Sequence, residues 1–171
     1  MAAQLVRCLR CGRRNRLPAA GPGIPRCGRC RAALPWITDA GDDDFAEITD
    51  ARMPVLVDIW APWCPQCWRA NSALDRLACT LAGQVKVVKI NVARAPRLRY
   101  RFVVESVPTL MVLRGRQVVA YRAGEPPEPS LRAWLDHARQ TVAVSDGDRL
   151  GLLASLSSTR PTGMARRSAG A

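Results

Sequence analysis

The hydrophobic and polar positions along this 171-residue chain separate a short N-terminal part from a longer one. Residues 1–34 carry few large apolar side chains, so they cannot form a core unless a cross-link or a metal holds them together. From about residue 44, short apolar runs typical of buried strands alternate with segments whose apolar positions lie three or four residues apart, as in helices. This alternation predicts an α/β fold in which helices flank a mixed sheet.

The predicted secondary structure begins at Asp44, whose side chain can cap a short helix. In chain order the predicted elements are a helix at 44–48, a strand at 55–60, a helix at 67–81, a strand at 85–92, a basic helical stretch at 97–103, a hairpin of strands at 109–113 and 117–121, and a helix at 130–142. The predicted boundaries are an N-terminal module at 1–34, a linker at 35–43, a domain at 44–145 and a disordered tail at 146–171.

The chain is strongly basic, with 26 Lys or Arg against 14 Asp or Glu and a formal net charge of +12. Nearly all of the excess is arginine, concentrated in residues 7–31, in residues 94–101 and in the tail. Such a charge is compatible with nucleic-acid binding. However, arginines beside metal-bound thiolates would screen their negative charge, and acidic protein partners or compositional bias explain the remainder. We therefore do not expect nucleic acid as a partner.

Neither a secretory signal nor a membrane span is predicted. Residues 1–6 are too short for the apolar core of a signal peptide, and the following residues are basic. No apolar run approaches the roughly 18 residues needed to cross a bilayer. We expect a cytoplasmic protein, in which paired cysteines indicate metal binding or catalysis more often than structural disulfides.

Six of the seven cysteines form three Cys-x-x-Cys pairs, of which the first two are Cys8/Cys11 and Cys27/Cys30. Fifteen residues separate these two pairs, which is a spacing typical of a zinc site with four thiolate ligands. Gly12 and Gly28 would give the two tight turns their conformational freedom. Two disulfides or four free thiols are the alternatives. We predict one structural zinc ion, whose removal should unfold residues 1–34 and leave the domain at 44–145 largely folded.

The third pair, Cys64 and Cys67, follows a predicted strand and begins a predicted helix. Unpaired N–H groups and the positive end of the dipole at a helix start stabilise a thiolate there. Cys64 is therefore the predicted nucleophile, and Cys67, one turn later, can resolve a mixed disulfide. Pro65 suits the first helical turn. The seventh cysteine, Cys79, is expected to be a small buried side chain.

The segment 57–67, Val-Asp-Ile-Trp-Ala-Pro-Trp-Cys-Pro-Gln-Cys, resembles the active-site segment of thioredoxins. The resemblance extends over roughly residues 44–142, through Lys89-Ile90-Asn91, the segment 106–110 and Gly124. With the four N-terminal cysteines, the chain resembles the zinc-carrying bacterial thioredoxins of the thioredoxin 2, or thioredoxin C, type. The resemblance implies a thioredoxin fold preceded by a small zinc ribbon, and a protein-disulfide reductase without an organic cofactor.

The same resemblance implies roles for the matching residues. Asp58 would be the buried carboxylate that assists proton transfer at Cys67, and Lys89 would be its buried partner. Val107 and Pro108 would form the loop, with a cis-proline, that faces the dithiol and binds substrate backbone. Trp63 and Gly124 would contact substrate. We expect a monomer whose partners are protein disulfides and either thioredoxin reductase or a glutathione-linked donor.

The chain departs from the resemblance between the two active-site cysteines, where Pro65-Gln66 replaces the usual Gly-Pro. Proline after the nucleophile is found in glutaredoxins, with potentials of about −200 to −230 mV, so we predict a couple less reducing than the about −270 mV of thioredoxin. Val103 also replaces a usual glycine, and Ser72 a usual proline. Alternative functions are a redox-sensitive zinc-dependent adaptor or holdase with weak reductase activity, and a nucleic-acid-binding zinc ribbon.

Overall fold

The computed structural model describes residues 4–21, 23–125 and 127–140. The predicted tail at 146–171 lies outside these residues. The elements in chain order are β1 (Leu5–Arg7), β2 (Arg14–Arg16), β3 (Trp36–Ala40), α1 (Phe45–Ile48), β4 (Val55–Trp60), α2 (Pro65–Thr80), β5 (Lys86–Asn91), α3 (Pro96–Arg101), β6 (Thr109–Arg114), β7 (Gln117–Ala123) and α4 (Glu128–Gln140). Within the described residues no helix is long and apolar enough to cross a membrane.

The main sheet contains five strands in the order β3-β5-β4-β6-β7. Strands β3, β5 and β4 are parallel, β6 is antiparallel to β4, and β7 is antiparallel to β6. Alternate residues of β4 enter two different cores, since Val57 and Ile59 pack with Phe45 and Leu98 while Leu56 packs with Leu74 of α2 and Leu131 of α4. The prediction of a mixed sheet flanked by helices is confirmed.

The segment 35–43, predicted as a linker, instead contains strand β3. Residues Trp36–Ala40 pair in parallel with Lys86–Ile90 of β5 along the whole strand. The strand lies at the sheet edge, where only one neighbour covers it, so Thr38 and Asp39 remain at least partly exposed. Such a strand needs no continuous apolar run, and the apolar pattern therefore failed to reveal it.

The N-terminal module packs against one end of the main sheet. Its buried residues form a cluster together with two side chains from the domain; the members are Cys8, Leu17, Cys27, Leu34, Trp36 and Met53. Trp36 Nε1 donates a hydrogen bond to the carbonyl of Pro18 at 2.8 Å. Because the module shares this cluster with β3 and with the loop before β4, its packing is continuous with that of the domain.

Lys86, at the start of β5, is fully buried beneath the module. Its ammonium donates to the carbonyl of Ala19 at 2.8 Å and to the carbonyl of Ile48, and lies 4.0 Å from the ring centroid of Trp36. Burial lowers the pKa of Lys86 to about 8. Two carbonyl oxygens and an aromatic face thus replace water around the Lys86 ammonium. None of its described hydrogen-bond partners is a carboxylate.

Candidate active site and metal centre

Cys64 is the N-cap of α2 at the end of the sheet opposite the module. Its backbone is extended, with φ −100° and ψ 107°, and Pro65 takes the first helical position. The Sγ of Cys64 accepts a hydrogen bond from the backbone N–H of Cys67 at 3.1 Å. A thiol at this position meets both the free N–H groups and the positive end of the helix dipole, which favour its thiolate.

Cys64 and Cys67 are joined as a disulfide, with a Cα–Cα distance of 5.3 Å. Cys64 is 7% exposed and Cys67 is fully buried. An incoming sulfur can therefore reach Cys64, whereas Cys67 is accessible only from Cys64. This difference in access agrees with the predicted order of attack, with Cys64 first and Cys67 second.

Asp58 is a fully buried carboxylic acid in the middle of β4. Neither carboxylate oxygen has a hydrogen-bond partner among the described residues. Burial raises the pKa of Asp58 to about 7, a shift that the charge of Lys89 opposes and the charge of Asp75 reinforces. Asp58 can therefore exchange a proton near neutral pH, which a surface aspartate cannot do.

Lys89, which the resemblance implied to be the buried partner of Asp58, lies opposite it in the β4–β5 register. However, its side chain is partly exposed, and its ammonium forms an ion pair with Asp75 of α2 at 2.7 Å. Lys89 therefore acts on Asp58 through its charge, without a hydrogen bond. Asp75 was not among the predicted site residues, because an exposed acid on an amphipathic helix has no distinguishing sequence pattern.

The loop before β6 faces the dithiol. The Val107–Pro108 peptide bond is cis, and the Sγ of Cys64 lies 3.7 Å from the carbonyl oxygen of Val107. The N–H of Gly124 donates to the carbonyl of Pro108 at 2.8 Å. The structure thus places the carbonyl of Val107 beside Cys64 and joins Gly124 to the neighbouring Pro108 through the backbone.

Two tryptophans expose most of their surface next to the cysteines. Trp63 is 68% exposed, and Trp68 is 64% exposed with Nε1 donating to the carbonyl of Pro62 at 3.2 Å. Nearby, Arg69 of α2 forms a bidentate ion pair with Glu125, which follows Gly124. This pair connects the first turns of α2 to the loop that contacts Pro108, and no sequence pattern predicts it.

The four N-terminal cysteines converge on one point. Their sulfur atoms lie within 4.8 Å of one another, and the distances Cys8–Cys30 and Cys11–Cys27 are both 3.6 Å. A tetrahedral zinc ion with Zn–S bonds of about 2.3 Å requires sulfur atoms about 3.8 Å apart. The donor set and its spacing therefore fit a zinc ion with four thiolate ligands.

The two turns that carry these cysteines have equivalent geometry. The N–H of Gly12 donates to the carbonyl of Cys8, and the N–H of Arg31 to that of Cys27. Gly12 and Arg31 have positive φ angles of 73° and 62°. The left-handed residue of the second turn is thus Arg31, whereas the sequence had suggested Gly28, whose N–H instead donates to Asn15 Oδ1 at 3.0 Å.

The second turn also stabilises a thiolate before any metal binds. Backbone hydrogen bonds from Cys30 and Arg29 lower the pKa of Cys27 to about 6. Thiolate is the form that coordinates zinc.

The family model for thioredoxin matches residues 40–137, more than half of the chain. A thioredoxin of Synechocystis is 35% identical over 105 residues, which are 61% of this chain and 96% of that protein. A thioredoxin of Haemophilus influenzae is 38% identical over 96 residues, covering 56% of this chain and 90% of that protein. Thioredoxin C-3 of Corynebacterium nephridii is 31% identical over 140 residues, covering 80% of this chain and 96% of its own length.

Proposed function

The chain belongs to the thioredoxin family and is a protein-disulfide oxidoreductase, and we propose that Cys64 and Cys67 carry out its reaction. The observation that carries the proposal is the placement of Cys64 at the start of α2, where its Sγ accepts the N–H of Cys67 at 3.1 Å. The electrostatic environment of a helix N-terminus favours the thiolate, which is the attacking species.

The proposed reaction proceeds in two exchanges. The Cys64 thiolate attacks one sulfur of the substrate disulfide, forming a mixed disulfide and releasing the other substrate sulfur as a thiolate that takes up a proton. Cys67 then loses its proton, attacks Cys64 Sγ and releases the second substrate thiolate. The substrate gains two electrons, and Cys64–Cys67 becomes the disulfide.

Asp58 is the proposed proton acceptor for Cys67. Its pKa of about 7 allows it to take up a proton and return it to solvent near neutral pH. Lys89 tunes this pKa through its charge, which favours the carboxylate. We therefore assign Lys89 as a positioning residue, which acts on the reaction through the pKa of Asp58.

We propose that substrates bind along the loop opposite Cys64. Val107, Pro108 and Gly124 lie together there, and an extended substrate segment can pair with the loop backbone. Trp63 adds exposed aromatic surface beside Cys64. Because Pro65-Gln66 separates the cysteines, we propose a couple less reducing than about −270 mV, with thioredoxin reductase or a glutathione-linked donor restoring the dithiol.

We further propose that Cys8, Cys11, Cys27 and Cys30 bind one structural zinc ion. The sulfur spacing supports this, and four thiolates leave no open position for substrate, so the ion would stabilise the module and take no part in catalysis. We propose a monomeric cytoplasmic protein without an organic cofactor.

Reduction of insulin disulfides, with dithiothreitol as the electron donor, tests the dithiol assignment. Cys64→Ser should fall to the uncatalysed rate. Pre-reduced Cys67→Ser, mixed with insulin in the absence of dithiothreitol, should accumulate a mixed disulfide with substrate, visible by mass spectrometry under non-reducing conditions. Cys79→Ser is the matched control, because Cys79 lies on α2 outside the pair and should retain full activity. An inactive wild-type protein, or an active Cys64→Ser variant, would refute the assignment.

A further inference from the structure

The N-terminal module carries an unusual surface, in which every charged residue is positive. Residues 4–38 contain eight arginines and no lysine, aspartate or glutamate. All eight are exposed, although the module itself packs tightly against the domain. They are Arg7, Arg10, Arg13, Arg14, Arg16, Arg26, Arg29 and Arg31.

The strands β1 and β2 place three of these arginines on one face. The antiparallel register sets Arg7 opposite Arg14 and Leu5 opposite Arg16. Because side chains alternate along a strand, these four residues share the outer face, while Val6 packs towards the module's apolar cluster. The outer face therefore presents a compact group of guanidinium groups beside one exposed leucine.

This arrangement is unfavourable in the isolated protein. Like charges directly opposite each other destabilise a strand pair, and Arg7 and Arg14 occupy such positions. Among the described residues, Arg7, Arg14 and Arg16 have no ion pair or side-chain hydrogen bond, whereas Arg97 and Arg69 elsewhere do. Their side chains also make no hydrogen bond to the zinc-binding sulfurs. An external anion would remove the repulsion.

The chemistry of the face favours a phosphodiester backbone as that anion. Guanidinium groups bind phosphate oxygens in a bidentate manner and do so better than ammonium groups, and the module uses arginine alone. It has no aromatic residue before Trp36, so it lacks a platform on which bases could stack. Binding would therefore depend on the backbone and not on the base sequence.

The position of the module leaves the dithiol accessible when the face is occupied. The module contacts the sheet at Trp36 and Lys86, whereas Cys64 follows the opposite end of β4. Five residue steps along β5 separate the two ends by about 17 Å. A ligand on the outer face of β1 and β2 would thus anchor the protein without covering Cys64.

We propose that the outer face of β1 and β2, formed by Arg7, Arg14 and Arg16, binds the phosphate backbone of nucleic acid without sequence specificity. The interaction tethers the oxidoreductase to a polyanion while its active site stays free. This differs from the sequence-based expectation, which assigned the arginines to screening of the metal site. It does not depend on the proposed dithiol mechanism.

Fluorescence anisotropy with labelled 20-nucleotide single-stranded DNA, single-stranded RNA and duplex DNA tests the proposal, using the metal-loaded full chain. We expect dissociation constants of about 10⁻⁶ to 10⁻⁴ M at 0.15 M salt, with little dependence on sequence. The triple variant Arg7→Gln/Arg14→Gln/Arg16→Gln should bind about tenfold more weakly or worse at 0.05 M salt. Its slope of log K against log salt should be smaller in magnitude by about 2 to 3.

The matched control is Arg94→Gln/Arg99→Gln/Arg116→Gln, which removes the same net charge from exposed arginines of the domain. It should bind like the wild type, and both triple variants should retain one zinc by native mass spectrometry and wild-type insulin reduction. Equal losses in the two variants, or no binding at 0.05 M salt, would overturn the proposal. Displacement of the oligonucleotide by polyglutamate of equal charge would overturn it in favour of an acidic protein partner. The three probes distinguish RNA from DNA.

Discussion

Gly83, in the loop between α2 and β5, provides a direct test of how tightly the N-terminal module packs on the domain. Its φ angle is +80°, and a Cβ added there would lie 2.8 Å from the Cβ of Ala33 and 3.2 Å from Cγ2 of Ile24, both in or beside the module. Gly115, at the β6–β7 turn, has a φ of +54° and no atom within 4 Å of such a Cβ. Alanine substitutions at these two glycines therefore separate the cost of backbone strain from the cost of overpacking.

Gly115→Ala should cost about 1 kcal/mol, because an alanine in the left-handed region is disfavoured by about 1 to 2 kcal/mol and the unfolded chain loses some freedom in return. Gly83→Ala should cost the same amount plus about 1 to 3 kcal/mol for overpacking against Ala33. The Cβ of Ala33 is fixed by its backbone and cannot move without shifting the module. We therefore expect Gly83→Ala to be less stable than Gly115→Ala by about 1 to 3 kcal/mol.

Guanidinium unfolding of the metal-loaded protein measures the two free energies, and hydrogen exchange reports on the module separately. Gly83→Ala should accelerate amide exchange in residues 4–34, whereas Gly115→Ala should leave it unchanged. Equal losses of stability in both variants, with unchanged exchange in the module, would show that the module does not pack on Gly83.

Three further predictions concern the domain and the metal. Burial raises the pKa of Asp58 from an ordinary value near 3.8 to about 7. The buried carboxylate therefore destabilises the fold fully above pH 7 and not at all below pH 4. In guanidinium titrations, Asp58→Asn should raise the free energy of unfolding by up to about 4 kcal/mol at pH 8 and leave it unchanged at pH 4. Val103 has a φ of +50°, which strains a β-branched residue, and its side chain is largely exposed. Val103→Gly should therefore raise the free energy of unfolding by about 0.5 to 1 kcal/mol, and a lower free energy of unfolding would contradict the presence of backbone strain. Metal chelation should lower the Tm of the whole described fold and increase exchange at Trp36 and Met53, while an unchanged domain Tm would favour two independent units.

The parts of the fold that the sequence predicted are those encoded by local patterns. The run 55–60 is buried on both faces as β4, and the apolar spacing after Cys67 produces the amphipathic α2. Likewise, the spacing of the four N-terminal cysteines was sufficient to predict that their sulfurs converge. In each case the physical cause acts within a few residues or through a motif of fixed spacing.

The parts that the sequence did not reveal depend on contacts between distant segments. Strand β3 exists because β5 offers it a partner, and its own residues show no strand pattern. The ion pair between Lys89 and Asp75 joins a strand to a helix fourteen residues earlier. Arg69 and Glu125 likewise meet only after the loop containing Gly124 has packed on Pro108. Single-sequence patterns contain no information about such pairings.

Lys86 connects the packing of the module to that of the domain, although the four-cysteine cluster and the dithiol lie at opposite ends of the sheet. Its ammonium is removed from water and is stabilised by the carbonyls of Ala19 and Ile48 and by the ring of Trp36. If the module detached, Ala19 and the covering surface would leave together, and water would replace them around the charge. Detachment of the module should therefore raise the pKa of Lys86 from about 8 towards its ordinary value.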